Sequence, residues 1–232
     1  MQEPRAAIVG LGPGDPELTT LRAARLIEAS DFVLHAGAEP FSGFAVEIVA
    51  DRLRPDHKVE GLALKMARGR DDANVGYDRA ARRMIELVNQ HQRVVYLAEG
   101  DALFYGSGTG IAEHLTKIDR SFEFEVVPGV TSISAAAARL KRPIAIKDEI
   151  FSVCPGTYHR DEIGAIVDRG GPMCWLKARD ILPELIEALG ARGKLADAVL
   201  LERVGRPDER VVTNLTEALE LDLSYFSLVL VR

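Results

Sequence analysis

Ala6-Ala7-Ile8-Val9-Gly10-Leu11-Gly12-Pro13-Gly14-Asp15-Pro16 is the stretch that decides the fold. It opens as a short apolar run and ends in a turn rich in glycine and proline. From Thr19 to Ala29, Leu21, Ala24, Arg25 and Leu26 then fall at helical spacing. Strand, loop and helix follow one another. Asp31 to His35 is again short and apolar, and Phe41 to Leu53 returns to a helical pattern, so the opening reads βαβα and predicts a parallel sheet.

Beyond a polar segment at Lys65 to Asp72, Ala73 to Gln90 carries Ala80, Met84, Leu87 and Val88 on one helical face, with Arg79, Arg82 and Glu86 outside it. Arg93 to Ala98 predicts the next strand, followed by a second loop, Glu99-Gly100-Asp101-Ala102-Leu103-Phe104-Tyr105-Gly106-Ser107-Gly108, and a helix over Thr109 to Lys117. Phe122 to Val127 predicts a strand before Pro128-Gly129, which breaks regular structure and marks the domain junction. After it, a short helix at Ala135 to Leu140 gives way to strands at Ile150 to Cys154, Met173 to Leu176, Ala198 to Arg203, Glu209 to Thr213 and Tyr225 to Val231, with a helix at Leu182 to Leu189. The expectation is α/β throughout: residues 1–128 around a parallel sheet and residues 129–232 around a mixed one.

A length of 232 residues fits two modest domains, and 47% hydrophobic residues supply enough apolar surface for both cores. A net charge of −6 argues against a nucleic-acid surface, which needs clustered Lys and Arg to release counterions. Cys154 and Cys174 lack any C-x-x-C or Cys/His spacing and read as buried thiols. His35, His57, His91, His114 and His159 form no triad or ligand pair, so no protein-bound metal is expected. No run approaches the roughly 20 apolar residues that span a bilayer, and the expected location is the cytoplasm.

The first loop resembles the dinucleotide fingerprint G-x-G-x-x-G only superficially. Its third glycine position is Asp15, and Pro13 removes a backbone donor where a pyrophosphate would want one. Interleaved glycines and prolines instead describe a stiff turn whose backbone can approach a ligand or another loop; the alternative is a plain connection with Asp15 capping the next helix. The second loop leaves the carboxyl end of a predicted parallel strand, the edge where open α/β sheets bind ligands. Asp101, Phe104 and Tyr105 there offer a carboxylate and apolar faces in one short span. In Val127-Pro128-Gly129-Val130-Thr131-Ser132 a hydroxyl at the turn reads first as a helix cap and second as a ligand contact.

Taken together and in this order, Gly10 to Pro16, Glu99 to Tyr105 and Val127 to Ser132 resemble the methyltransferases that modify tetrapyrroles. The stretch Glu202-Arg203-Val204-Gly205-Arg206-Pro207-Asp208-Glu209-Arg210, Pro155-Gly156-Thr157 and the terminal Tyr225 to Val231 look like the branch that methylates carbon 20 of precorrin-2. The resemblance implies a homodimer of two α/β domains with S-adenosylmethionine in the cleft between them, released as S-adenosylhomocysteine, and the tetrapyrrole in an adjoining trough. It places Pro13, Glu99, Gly100, Asp101, Phe104, Thr131 and Ser132, and more loosely Leu176 and Val204, at donor-contacting positions. Ala102 departs from the pattern, since relatives commonly have proline after Gly-Asp; alanine frees φ and restores an N–H.

Methyl transfer from a sulfonium asks the protein for alignment at about 3–3.5 Å and exclusion of water, so no nucleophilic side chain is required and no catalytic residue is identified. The acetate and propionate groups of precorrins call for cations, and Lys65, Arg68 and Arg70 are the candidates, a solvated charged loop being the alternative. Two rivals remain at this level. One is a nicotinamide or flavin oxidoreductase, against which Pro13 and Asp15 speak; the other is a non-catalytic module sensing a nucleotide-like ligand. Cobalt-precorrin-2, another precorrin or a uroporphyrinogen are the alternative acceptors.

Overall fold

The computed structural model describes residues 4–37, 39–64, 70–156 and 160–232. They form two compact units, Met1–Thr131 and Ser132–Arg232. The first carries β1 (Ala6–Gly10), α1 (Leu21–Ala29), β2 (Phe32–Ala36), α2 (Phe44–Ile48), β3 (Lys58–Leu62), α3 (Arg70–Asn89), β4 (Val94–Ala98), α4 (Ser107–Ile118) and β5 (Glu125–Val127). The strands lie in the order β3-β2-β4-β1-β5 and every pair is parallel, as the βαβα opening predicts.

Both faces of this sheet are covered, which is why its central strands are apolar at every position rather than at alternate ones. In β1, Ala6 and Ile8 pack with Ala80, Met84, Leu87, Ile111 and Leu115 of α3 and α4. Ala7 and Val9 pack with Ala23, Leu26, Ile27 and Val46 of α1 and α2 on the opposite face. Thr20 starts α1 by accepting a hydrogen bond from the Ala23 amide on its side-chain oxygen (3.2 Å). The inward face of α1 is Ala23, Ala24, Leu26 and Ile27; of the residues that mark the helical spacing, Leu21 is 79% exposed and Arg25 also faces solvent.

The second unit carries α5 (Ser132–Leu140), β6 (Ser152–Pro155), α6 (Ile163–Asp168), β7 (Met173–Leu176), α7 (Leu182–Gly190), β8 (Ala198–Glu202), β9 (Arg210–Val212) and β10 (Ser227–Val231). Its sheet has the order β6-β7-β10-β8-β9; β6 and β7 are parallel and the remaining pairs antiparallel, which is the mixed sheet the sequence predicts. Side chains alternate strictly. Met173 and Trp175 face α6 and α7, while Cys174 and Leu176 face Ile133 and Ala136 of α5. Cys154 and Cys174 are buried free thiols, and burial pushes both upward in pKa, so neither is a reactive thiolate. Among the described residues no helix is long and apolar enough to cross a membrane.

Candidate functional site

The helix after β1 covers one face of the parallel sheet and the helix after β4, its neighbour, covers the other. Their connections diverge at the carboxyl ends of these two strands, the topological switch point at which open α/β sheets bind ligands. β5 lies on the other side of β1 and ends beside it, with Val9 opposite Val127 and Gly10 opposite Ala98. Three loops thus leave one short edge together.

The first two are joined through their main chains. The Leu11 amide donates to the Ala98 carbonyl (3.0 Å), the Gly12 amide to Gly100 (3.1 Å) and the Gly100 amide back to Gly12 (2.8 Å). Thr19 closes the first loop by donating its hydroxyl to the Leu11 carbonyl (2.9 Å). Asp15 accepts from the Glu17 amide (2.9 Å) and caps the 3₁₀ turn Pro16–Leu18, and Pro13 is buried. Where the loops cross, no side chain fits: a Cβ on Gly129 would stand 2.1 Å from the Gly100 carbonyl oxygen, and one on Gly10 would stand 2.6 Å from the Gly129 nitrogen. Gly100 itself has φ +68° and open space where its Cβ would be.

Asp101 fastens the second loop to the third. One carboxylate oxygen accepts from the Leu103 amide and the other from the Gly129 amide, each at 2.9 Å. Its oxygens therefore already serve the knot, a role that the residue type alone does not reveal. Asp101→Asn leaves one oxygen to accept and turns an NH₂ toward an amide, so a loss of about 1–2 kcal/mol is expected, read as a lower thermal midpoint. Ala102, where a proline would be common, is fully buried, and its carbonyl lies where a Cβ on Gly108 would clash at 2.2 Å. The added freedom of alanine is thus removed by packing.

Glu99 follows β4 directly, half-buried, and burial pushes its carboxyl above the usual carboxylate range, with its own backbone amide pulling the other way. Beneath it the wholly buried Tyr96 donates to the Ser107 hydroxyl (2.8 Å), tying β4 to the start of α4. Leu103, Phe104 and Tyr105 are 49%, 39% and 44% exposed, and the two rings meet edge to face at 4.8 Å. Thr131 ends the first unit and Ser132 opens α5.

In the second unit, Leu176 and Val204 are buried in the cluster with α5, and the Leu176 carbonyl already accepts from the Gly156 amide (2.7 Å). The backbone and burial of the residues beside them have no counterpart in the sequence pattern. Lys177 (φ 57°, ψ 43°) and Arg203 (φ 50°) both adopt the left-handed conformation at strand ends, which costs a side-chain-bearing residue on the order of 1 kcal/mol. Glu202, with no exposed surface, accepts from Arg210 (2.5 Å) and from the Ser224 amide (2.5 Å). Neither feature has a sequence signal, since each depends on partners across the sheet. Lys65 and Arg68 lie outside the described residues, and Arg70 opens α3.

Residues 6–220 match the family described as Tetrapyrrole (Corrin/Porphyrin) Methylases. The chain belongs to the tetrapyrrole methylase family. This tetrapyrrole methylase is 32% identical over 231 residues to a precorrin-2 C(20)-methyltransferase of a Sinorhizobium species, covering 96% of this chain and 93% of that one. It is 35% identical over 231 residues to the cobalamin biosynthesis protein CobIJ of Mycobacterium bovis, again over 96% of this chain but only 44% of the relative, so it spans less than half that protein's length. Its fold matches uroporphyrin-III C-methyl transferase from Thermus thermophilus complexed with S-adenosyl homocysteine, with a TM-score of 0.69 at 23% identity over 98% of this chain and 97% of that one. The family's methyl donor is S-adenosylmethionine, and its description names tetrapyrroles as what its members methylate. The site fits such a donor: bare main chain at the crossing, open space above Gly100, a carboxyl at Glu99 and exposed aromatic faces at Phe104 and Tyr105.

Proposed function

We propose that the chain methylates carbon 20 of precorrin-2, giving precorrin-3A, in cobalamin biosynthesis. The observation that carries the reading is the knot of three loops at the switch point, which leaves main chain and empty space where a ligand would lie. The choice of carbon 20 is supported by the similarity to the Sinorhizobium enzyme over nearly the full length of both chains. A homodimer in the cytoplasm is part of the same reading and rests on the resemblance.

S-adenosylmethionine supplies an electrophilic methyl group on a sulfonium. The chain's own residues position and enclose. In this reading Pro13, Gly100, the Thr131 and Ser132 turn and the main chain around Glu99 and Asp101 hold the donor, and Phe104 offers an apolar face to the adenine. Burial raises the Glu99 pKa and a sulfonium beside it would favour the ionised carboxylate, so the site would favour the donor over the product, whose sulfur carries no charge. Alignment of carbon, methyl and sulfur with water excluded then accounts for the rate without a nucleophile.

Incubating the purified chain with labelled donor and precorrin-2 should give a product bearing one new methyl group, located at carbon 20 by NMR. Parallel incubation with cobalt-precorrin-2 identifies the preferred form of the acceptor. Tight donor binding without methylation of any tetrapyrrole would overturn the enzyme reading in favour of a ligand sensor.

A further inference from the structure

β6 and β7 run parallel, and β8 runs with them because both β7 and β8 are antiparallel to β10. Their carboxyl ends therefore share one edge of the mixed sheet, together with the residues that lead into β10. Register places Leu176 and Leu201 on either side of Leu228 and Glu202 opposite Ser227, and Lys177 follows Leu176 at the end of β7. Main-chain ties hold this edge in shape. The Gly156 amide donates to the Leu176 carbonyl (2.7 Å), the Arg179 amide to the Ser227 hydroxyl (3.0 Å) and the Arg203 amide to the Phe226 carbonyl (2.8 Å).

Lys177 occupies this edge in a conformation that glycine would adopt without strain. Its ammonium sits 4.9 Å from the centroid of the Tyr225 ring, and that ring meets Phe226 edge to face at 5.5 Å. Lys177 and Tyr225 are half-buried and Phe226 is 38% exposed. Lys177 thus carries a side chain in a turn whose backbone glycine would adopt more readily, and that side chain lies against the Tyr225 ring. Its position combines a cation, steadied by an aromatic face, with a second aromatic surface beside it: the chemistry that suits a flat, apolar ring system fringed with carboxylates.

We propose that Lys177, steadied on Tyr225, binds a carboxylate of the tetrapyrrole and is a specificity-determining residue for the acceptor. This rests on the methyltransferase reading above but adds a site that reading does not contain. Lys177 would form a charge-assisted hydrogen bond to an acetate or propionate group, and Tyr225 and Phe226 would cover the neighbouring ring edge.

The full-length chain with Lys177→Met, Lys177→Gly and Lys177→Arg tests it through the thermal midpoint, calorimetric affinity for S-adenosylhomocysteine, and KM and kcat with precorrin-2. Lys177→Met should raise KM for precorrin-2 about tenfold, with kcat within threefold and product affinity within twofold of the wild type. Lys177→Gly should show the same KM defect with a thermal midpoint above that of Lys177→Met, since both lose the contact with Tyr225 but only glycine removes the left-handed strain. Lys177→Arg should recover most of the acceptor affinity. Unchanged KM in both Lys177→Met and Lys177→Gly, with active wild-type enzyme, overturns this inference alone. A wild type that binds S-adenosylhomocysteine yet neither binds nor methylates precorrin-2 overturns the acceptor reading and this inference with it.

Discussion

Gly129→Ala loses both stability and donor binding, whereas Gly100→Ala keeps the fold at a small cost in stability and chiefly loses donor binding. The contrast follows from what each new methyl group would meet. At Gly129 the Cβ falls 2.1 Å from the Gly100 carbonyl oxygen, 2.8 Å from the Gly10 carbonyl carbon and 3.0 Å from the Gly10 Cα. All three are main-chain atoms, so relief requires the three loops to separate, breaking the bond between the Gly129 amide and Asp101. Overpacking of this kind costs about 2–3 kcal/mol, or a drop of roughly 5–10 °C in the midpoint of the first unit. At Gly100 the Cβ meets nothing within 4 Å, and the cost is the left-handed strain at φ +68°, about 1 kcal/mol. Its methyl instead occupies the space assigned to the donor, so affinity for S-adenosylhomocysteine should fall at least tenfold. Calorimetry beside thermal unfolding separates the two effects; equal loss of affinity and stability in both variants would show that the space above Gly100 is not used.

Removing the Glu202 carboxylate is expected to be the most damaging change in the second unit. The side chain is wholly buried at the end of β8 and holds three segments: Arg210 of β9 and the Ser224 amide before β10 at 2.5 Å each, and Arg203 at 3.7 Å. Glu202→Ala strands these groups around a void. Breaking a buried pair costs about 3–5 kcal/mol, and because Arg210 is 37% exposed and can rehydrate, about 3 kcal/mol is expected here. Denaturant unfolding should show this loss, and Glu202→Gln should recover only part of it. The same group sets an acid limit. Burial raises its pKa, but the bonds from Arg210 and Ser224 outweigh that and hold it below its ordinary 4.5. The ionised form is then the one the fold prefers, so its contribution is complete above about pH 4.5 and is lost as pH falls through the lowered value. Wild-type stability should fall along that limb, and Glu202→Gln should flatten it; an unchanged acid limb in the variant would assign the acid sensitivity elsewhere.

Much of this architecture was legible from residue pattern. Strands buried on both faces, such as Val94–Ala98, are apolar at every position, and the glycine-rich loops that follow β1 and β4 mark the ligand edge directly. β3 escaped because it is an edge strand: Lys58, Glu60 and Gly61 interrupt its apolar residues, and its partner β2 lies more than twenty positions earlier. α6 escaped because six residues with Ile163, Ile166 and Val167 inward make too short a stripe to show a period. At the site, sequence marks Asp101 as important but not as the clamp between two loops, because Gly129 is 28 positions away. Lys177 gave no signal, and Glu202 stood in a motif without its role showing, for the same reason: a left-handed lysine and a buried carboxylate become visible only when Tyr225, Arg210 and Ser224 are brought beside them.

The central claim is that the donor lies on the knot at the carboxyl edge of the parallel sheet. Hydrogen–deuterium exchange with and without saturating S-adenosylhomocysteine tests it most directly. Protection concentrated in peptides covering residues 10–16, 99–106 and 128–131 is the predicted result. Binding that left all three segments unprotected, with slowed exchange confined to other parts of the chain, would contradict it.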